Sequence, residues 1–205
     1  GIVLNIADYE EYLTYYPSFV EETNGGRAFA YNEDGSAYYF MDGFVNPDNI
    51  TGAQSFTSFA YRFDILKELD LQPATTIDEF TQLCADIKAA IDNGDIDAKY
   101  VMHNQSGNYA FYRGFVGIFH TWDTLYWNGN EWAFGPIEDN FREMLKYLHS
   151  LYEAGYIDPE FGTDDDGSAT EKAVNGNHVI APTLWSGMAR MWNTQTPVEG
   201  MEWGL

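Results

Sequence analysis

Apolar positions along the chain follow helical spacing in two long stretches and strand spacing between them. Phe80, Leu83, Cys84, Ile87 and Ile91 fall at i, i+3, i+4, i+7 and i+11, which puts them on one face of a helix. Thr76 with Glu79 makes a capping box at its start, and Asn93-Gly94 supplies its stop. The strongest stripe comes later. Phe141, Met144, Leu145, Leu148, Leu151 and Tyr152 share one face, while Arg142, Glu143, Lys146, Ser150 and Glu153 share the other. This predicts a helix from about Asp139 to Ala154, opened by Glu138 and Asp139 and closed by Gly155. Its Phe141, Met144, Leu145, Leu148 and Leu151 are expected to be buried against a sheet.

Shorter runs read as strands and connecting turns. Residues 55–61, 99–103 and 178–185 are strand candidates, and residues 62–69 read as a short helix. Residues 125–134 form a hairpin pattern with Asn128-Gly129 in the turn, and Trp127 and Trp132 are expected to cover its face. Residues 107–120 are apolar and aromatic, the pattern of a helix lining a cleft or core. Near the start, Asp8 and Glu11 open a helix carrying Tyr9, Tyr12, Leu13 and Tyr16, which Pro17 limits. Residues 31–40 read as a turn at Asp34-Gly35 feeding a strand, and 44–52 as a loop. Ser168 and Glu171 cap a further short helix, and residues 186–192 start another. Helices alternating with short strands give an α/β or α+β architecture. No internal repeat and no low-complexity tract interrupts it.

Composition narrows the function. The 205 residues are enough for one domain, or for a large domain with a fragment of another. With 10 Lys+Arg against 32 Asp+Glu, the net charge of −22 repels phosphate backbones and excludes nucleic acid as a partner. Neutral or cationic small molecules fit this surface, although acidity also serves solubility alone. The single Cys84 permits no internal disulfide, and its place on an apolar helix face marks a buried, inert thiol. Six Trp, 15 Tyr and 14 Phe serve a core or stack on sugar rings, and composition does not choose between the two. No apolar run is long enough to span a bilayer. The ends GIVLNI and GMEWGL carry no initiating Met and no basic leader, so both are expected to lie inside a longer precursor.

Motifs for catalysis or metal binding are incomplete. His103, His120, His149 and His178 are scattered, and His149 with Glu153 is a single i, i+4 pair. No HExxH, GxSxG or P-loop pattern is present. Glycoside hydrolysis needs only two carboxylates across a cleft, so 32 acidic residues leave it open. Asp164-Asp165-Asp166 reads as a solvated loop or the acidic start of a helix, with a metal site as the lesser alternative. No complete metal-ligand set and no cofactor motif is visible, and none is expected.

Four stretches together resemble family 1 extracellular solute-binding proteins, the capture subunits of bacterial ABC importers, including the oligosaccharide-binding lipoproteins of Gram-positive bacteria. DGSAYYF is similar to the family's strand approaching its first hinge. YRFDILKELDLQPATTIDEF is similar to its strand, short helix, linker and capped helix. FREMLKYLHSLYEAGYIDPEF resembles its amphipathic helix ending in Asp-Pro-Glu-Phe, and KAVNGNHVIAPTLW its second hinge crossing. One departure concerns calcium. Where the family often carries an EF-hand-like loop, IDNGDIDAKY lacks the sixth-position Gly and has His103 in place of the closing Glu.

The resemblance implies a periplasmic-binding-protein-like (type II) α/β lobe with hinge segments, truncated at both ends. Residues 1–43 would be an N-terminal-lobe remnant and first hinge, 44–180 the C-terminal lobe, and 181–205 the second hinge and return. It implies capture of a carbohydrate or oligosaccharide in an inter-lobe cleft, permease subunits of an ABC transporter as partners, and an extracellular, lipid-anchored precursor. The alternatives are a glycoside hydrolase and a non-transport glycan-binding surface domain. Candidate ligand-binding residues are Trp185 at the second hinge, Tyr109, Tyr112 and Arg113 on the cleft-bordering segment, Trp122, Tyr39 near the first hinge, and Arg62. For Arg62, pairing with Asp64 is an equal alternative to sugar binding.

Overall fold

The computed structural model describes residues 4–22, 27, 30–38, 58–103, 107–183 and 186–205. Contacts divide the chain into two units, Gly1–Gln54 and Ser55–Leu205. The expected loop at 44–52 lies outside the described residues.

In the first unit a 3-10 turn spans Ile6–Tyr12, and α1 spans Tyr16–Glu22. Asn5, rather than Asp8, caps the first turn, its side chain accepting from Ala7 N at 3.3 Å and from Ala37 N at 2.8 Å. Pro17 does not end a helix but sits at the beginning of α1, where its missing N–H costs no hydrogen bond. Asp34-Gly35 makes the expected turn. Gly35 has φ +81°, and Asp34 Oδ1 accepts from Ser36 N at 2.9 Å.

The second unit is a mixed sheet between two helical layers. Its elements in chain order are β1 (Ser58–Arg62), α2 (Phe63–Glu68), α3 (Ile77–Asn93), β2 (Tyr100–Met102), α4 (Gly107–Val116), β3 (Leu125–Trp127), β4 (Trp132–Phe134), α5 (Asp139–Glu153), α6 (Asp166–Val174), β5 (His178–Thr183), α7 (Ser186–Gln195) and β6 (Trp203–Gly204). The sheet order is β2-β5-β1-β6. β2 runs parallel to β5, with Tyr100 opposite His178 and Met102 opposite Ile180. β1 is antiparallel to both of its neighbours, with Ser58 opposite Thr183 and Arg62 opposite Trp203.

Strand alternation sorts the side chains onto the two faces. Tyr61 and Ile180 join Phe80, Leu83, Cys84 and Ile87 of α3, Phe111 and Phe115 of α4, and Met144 and Leu151 of α5. Ala60 and Ala181 face the other way, against Ala173 of α6, Ala189 and Trp192 of α7, and Trp203. Residues 186–205, expected to belong to a return toward another lobe, pack here on this unit's own sheet through Trp192 and Trp203.

Local signals explain the helices. Thr76 and Glu79 form the predicted capping box, with Glu79 N donating to Thr76 Oγ1 and Thr76 N donating to Glu79 Oε2, each at 3.2 Å. Gly94 ends α3 in the left-handed region at φ +76°. Cys84 is fully buried, and desolvation pushes its thiol up to about 12, as expected of an inert residue.

Two expectations are corrected. Helix α6 is capped by Asp165, whose side chain accepts from Ser168 N at 2.8 Å, so Ser168 lies inside the helix and is not its cap. Met144 and Leu151 of α5 are buried, but Leu145 is 49% exposed. Buried Met144 and Leu151 are seven residues apart, a narrow seam with Phe141 and Leu148 partly buried beside it. Leu145 is rotated about 100° from Met144 and points off that seam.

Candidate functional site

Parallel strands create a natural site edge. β2 and β5 run in the same direction, so their carboxyl ends lie on the same side of the sheet. Helices α4 and α7 begin immediately afterwards, at Gly107 and Ser186. In open α/β sheets, ligands bind in the crevice outside the carboxyl ends of the strands. Trp185 and Tyr39 lie outside the described residues. Tyr109 belongs to α4; its side chain is outside the described set.

The same helix carries Tyr112 and Arg113, and the structure joins them to the segment containing Trp122. Arg113 donates to Asp123 Oδ2 from Nε at 2.8 Å and lies 2.7 Å away through Nη2. Tyr112 donates its hydroxyl to the same oxygen at 3.3 Å. Burial and the neighbouring Asp123 carboxylate raise the Tyr112 pKa, so Tyr112 stays a hydrogen-bond donor at neutral pH. The Asp123 side chain is only 5% exposed, whereas that of Arg113 is 31% exposed. Asp123 therefore anchors a cation that is partly exposed. Trp122, next in the chain, is partly exposed.

A short ribbon is fixed beside this cluster. Leu125 pairs with Phe134 and Trp127 with Trp132 in the β3–β4 hairpin. Its turn is built by the Asn128 side chain, which accepts from Asn130 N and Glu131 N at 3.0 Å each, so the loop is wider than the Asn-Gly pair alone suggests. Glu138 pins the ribbon by accepting from Tyr126 Oη at 2.8 Å and from Thr121 Oγ1 at 3.0 Å. At Gly135 a Cβ would lie 1.7 Å from the Trp122 carbonyl oxygen, so only glycine permits this approach. Trp127 and Trp132, expected to cover the hairpin face, meet edge to face at 6.0 Å across it and remain 55% and 67% exposed.

Three of the sequence candidates, Tyr112, Arg113 and Trp122, are thus gathered around Asp123. Arg62 is not among them. It is buried on the opposite face of the sheet, next to Gly176. Its guanidinium is bound to Asp64, from Nε to Oδ1 at 2.8 Å and from Nη2 to Oδ2 at 2.6 Å. This is the pairing that sequence proximity offered as the alternative. Asp123 escaped sequence reasoning because the ten-residue separation from Arg113 follows no helical or strand rule; the scarcity of cations in the chain was the only available signal.

No protein-family model matches the chain, and no curated protein does. Solved structures do. The S. pneumoniae ABC-transporter substrate binding protein FusA in complex with kestose aligns with TM-score 0.65 at 20% identity, over 89% of this chain and 39% of its own. The alginate-binding protein AlgQ2 aligns with TM-score 0.66 at 19% identity, over 98% and 41%. An HMO-binding ABC-transporter-associated solute binding protein from Bifidobacterium longum infantis aligns with TM-score 0.64 at 16% identity, over 90% and 40%. The chain spans about two fifths of the length of these structures. Its fold is that of the periplasmic-binding-protein-like solute-binding proteins, and these structural neighbours are binding proteins rather than enzymes.

Proposed function

We propose that this chain forms one lobe, with adjoining hinge segments, of an extracellular solute-binding protein that captures carbohydrate for a bacterial ABC importer. The observation that carries the reading is the fold likeness to sugar-binding transport proteins along nearly the whole of this chain. Residues 44–180 would form the body of the C-terminal lobe, with α7 and β6 completing its sheet. Permease subunits would be the macromolecular partners, and a lipid anchor would hold the longer precursor at the cell surface. No helix among the described residues is long and apolar enough to cross a membrane.

The ligand site in this reading lies at the carboxyl edge of β2 and β5. Trp185 and Tyr109 would supply stacking faces. Tyr112, Arg113 and Trp122 would flank them, with Asp123 holding the Arg113 guanidinium in place. Because Asp123 fixes the guanidinium, a contact from Arg113 to ligand would need little reorganisation. The net charge of −22 favours an uncharged oligosaccharide over an anionic one.

Titration calorimetry with neutral oligosaccharides, on a two-lobed protein containing this sequence, tests the reading. Closure of two lobes excludes water from the ligand, so the isolated chain should bind much more weakly than the two-lobed form. Trp185→Ala should weaken binding by about 1–3 kcal/mol, the scale of a lost aromatic platform. Unchanged affinity would remove Trp185 from the site, and glycan cleavage by the wild type would place the protein among the hydrolases.

A further inference from the structure

A different set of side chains meets where the end of β2, the segment after α5 and helix α6 come together. Lys172 Nζ donates to Asp158 Oδ2 at 2.8 Å, to Asp164 Oδ2 at 2.6 Å and to Glu160 Oε2 at 2.6 Å. The His103 ring stands between the same two aspartates. Its Nδ1 is 3.1 Å from Asp158 Oδ2, and its Nε2 is 3.2 Å from Asp164 Oδ2. His103 and Asp158 are fully buried, yet neither ring nitrogen makes an aligned hydrogen bond.

Two features of this cluster are unusual for a structural salt bridge. The first is its charge. Three carboxylates surround one ammonium, so with a neutral imidazole the carboxylates are in excess by two charges; Glu160 is exposed, but Asp158 is fully buried and Asp164 nearly so. The second is the orientation of His103. A carboxylate on Nδ1 and a second carboxylate beside Nε2 match the arrangement by which proteins orient a metal-ligating histidine. Donor atoms of His103, Asp158 and Asp164 all lie within 4.8 Å of one another. A polar pocket of about 490 Å³, lined by Glu160, Asp164, Glu171 and Lys172 among others, borders the cluster on its Asp164 side.

We propose that this cluster is a divalent-metal site, with His103 Nε2, Asp164 and Glu160 as ligands, Asp158 orienting the imidazole, and Lys172 as a built-in competitor for the same oxygens. One imidazole with carboxylates suits zinc better than calcium or magnesium, which favour all-oxygen shells. Lys172 reaches the cluster on a flexible stem from α6, and its ammonium can swing into the polar pocket as the metal enters. The exchange replaces one positive charge with two and reduces the excess negative charge. Because Lys172 already partly neutralises the carboxylates, folding does not require the metal.

Calorimetric titration of zinc chloride into chelator-treated protein tests this. The expected result is a single site, lost in His103→Gln, weakened at least tenfold in Asp164→Asn, and tightened in Lys172→Gln. His149→Gln removes the exposed His149–Glu153 pair and should leave the affinity unchanged. Absence of zinc binding in both wild type and Lys172→Gln overturns the proposal. So does binding that survives His103→Gln unchanged or disappears in His149→Gln. Should His103→Gln fail to fold, the wild-type histidine NMR spectrum decides, since zinc must move the His103 ring resonances and a spectrum in which they stay fixed overturns the site.

Discussion

Acidification should weaken this protein well above the pH at which carboxylates protonate, and His178 is the reason. The residue opens β5, and its ring is enclosed by the rings of His103, Trp192 and Trp203 at centroid distances of 5.3, 6.3 and 5.2 Å. It is buried, and neither nitrogen has a hydrogen-bond partner. Burial, followed by the neighbouring His103, holds its pKa well below the ordinary value, against an opposing pull from Asp158. The unfolded chain binds a proton at this histidine below about pH 6.5, and the folded chain does not. The unfolded state therefore binds more protons, and stability falls as pH falls, by up to about 1.4 kcal/mol per pH unit for the one excluded proton. Integrated from pH 7 to pH 5, the loss is at most about 2 kcal/mol.

His178→Phe keeps an aromatic ring in this box and removes the titration. At pH 7 it should be neutral or stabilising, because it deletes two buried polar atoms that make no hydrogen bonds. Urea unfolding followed by tryptophan fluorescence at pH 7 and pH 5, on wild type and variant, measures the effect. Other groups titrate in both proteins, so the quantity of interest is the difference between their pH dependences. An equal loss of stability in the two proteins would refute the assignment of the pH 5–7 slope to His178. A variant that unfolds at pH 7 would show that the nitrogens are needed.

Core and capping residues give sharper contrasts. Met144→Ala and Leu151→Ala should each cost about 2–5 kcal/mol, while Leu145→Ala, half exposed on the same helix, should stay within about 0.5 kcal/mol; chemical denaturation distinguishes them. Thr76→Ala removes one half of the capping box and should cost about 1 kcal/mol, read from the same unfolding curves. Asp158→Asn removes a buried carboxylate that accepts from Lys172 and from Glu160 N, while Asp164 and Glu160 still pair with Lys172, so it should cost about 1–3 kcal/mol at neutral pH. Because the folded pKa of Asp158 is depressed, its contribution is present above about pH 4 and is lost as pH falls further, so the variant should also show a flatter acid limb below pH 4.

What the chain reveals before folding is what depends on near neighbours. The α3 stripe, the Thr76–Glu79 box and the Gly94 stop are encoded within a few residues of one another, and they are found where the spacing puts them. Pro17 and Asp165 show the limit of that logic. Each terminator or cap has more than one reading, and tertiary contacts choose between them. The α5 stripe identifies a helix but overstates its buried width, because periodicity reports every apolar position while the sheet covers only the seam through Met144 and Leu151. Residues joined across the sheet leave no such trace. His103 meets Asp158 because Ile157 bridges in parallel to Met102, with Met102 N donating to Tyr156 O and Asp158 N donating to Met102 O, both within 2.9 Å. Lys172 joins them only because α6 starts at Asp166, just after the segment that carries Asp158, Glu160 and Asp164. In sequence, Asp164 reads as one member of a solvated acidic run. In the fold it is the member turned toward a buried histidine, while Asp165 caps α6 and Asp166 begins it. Three adjacent, chemically identical residues thus take three different roles, and only the long-range pairing of β2 with the segment after α5 assigns them.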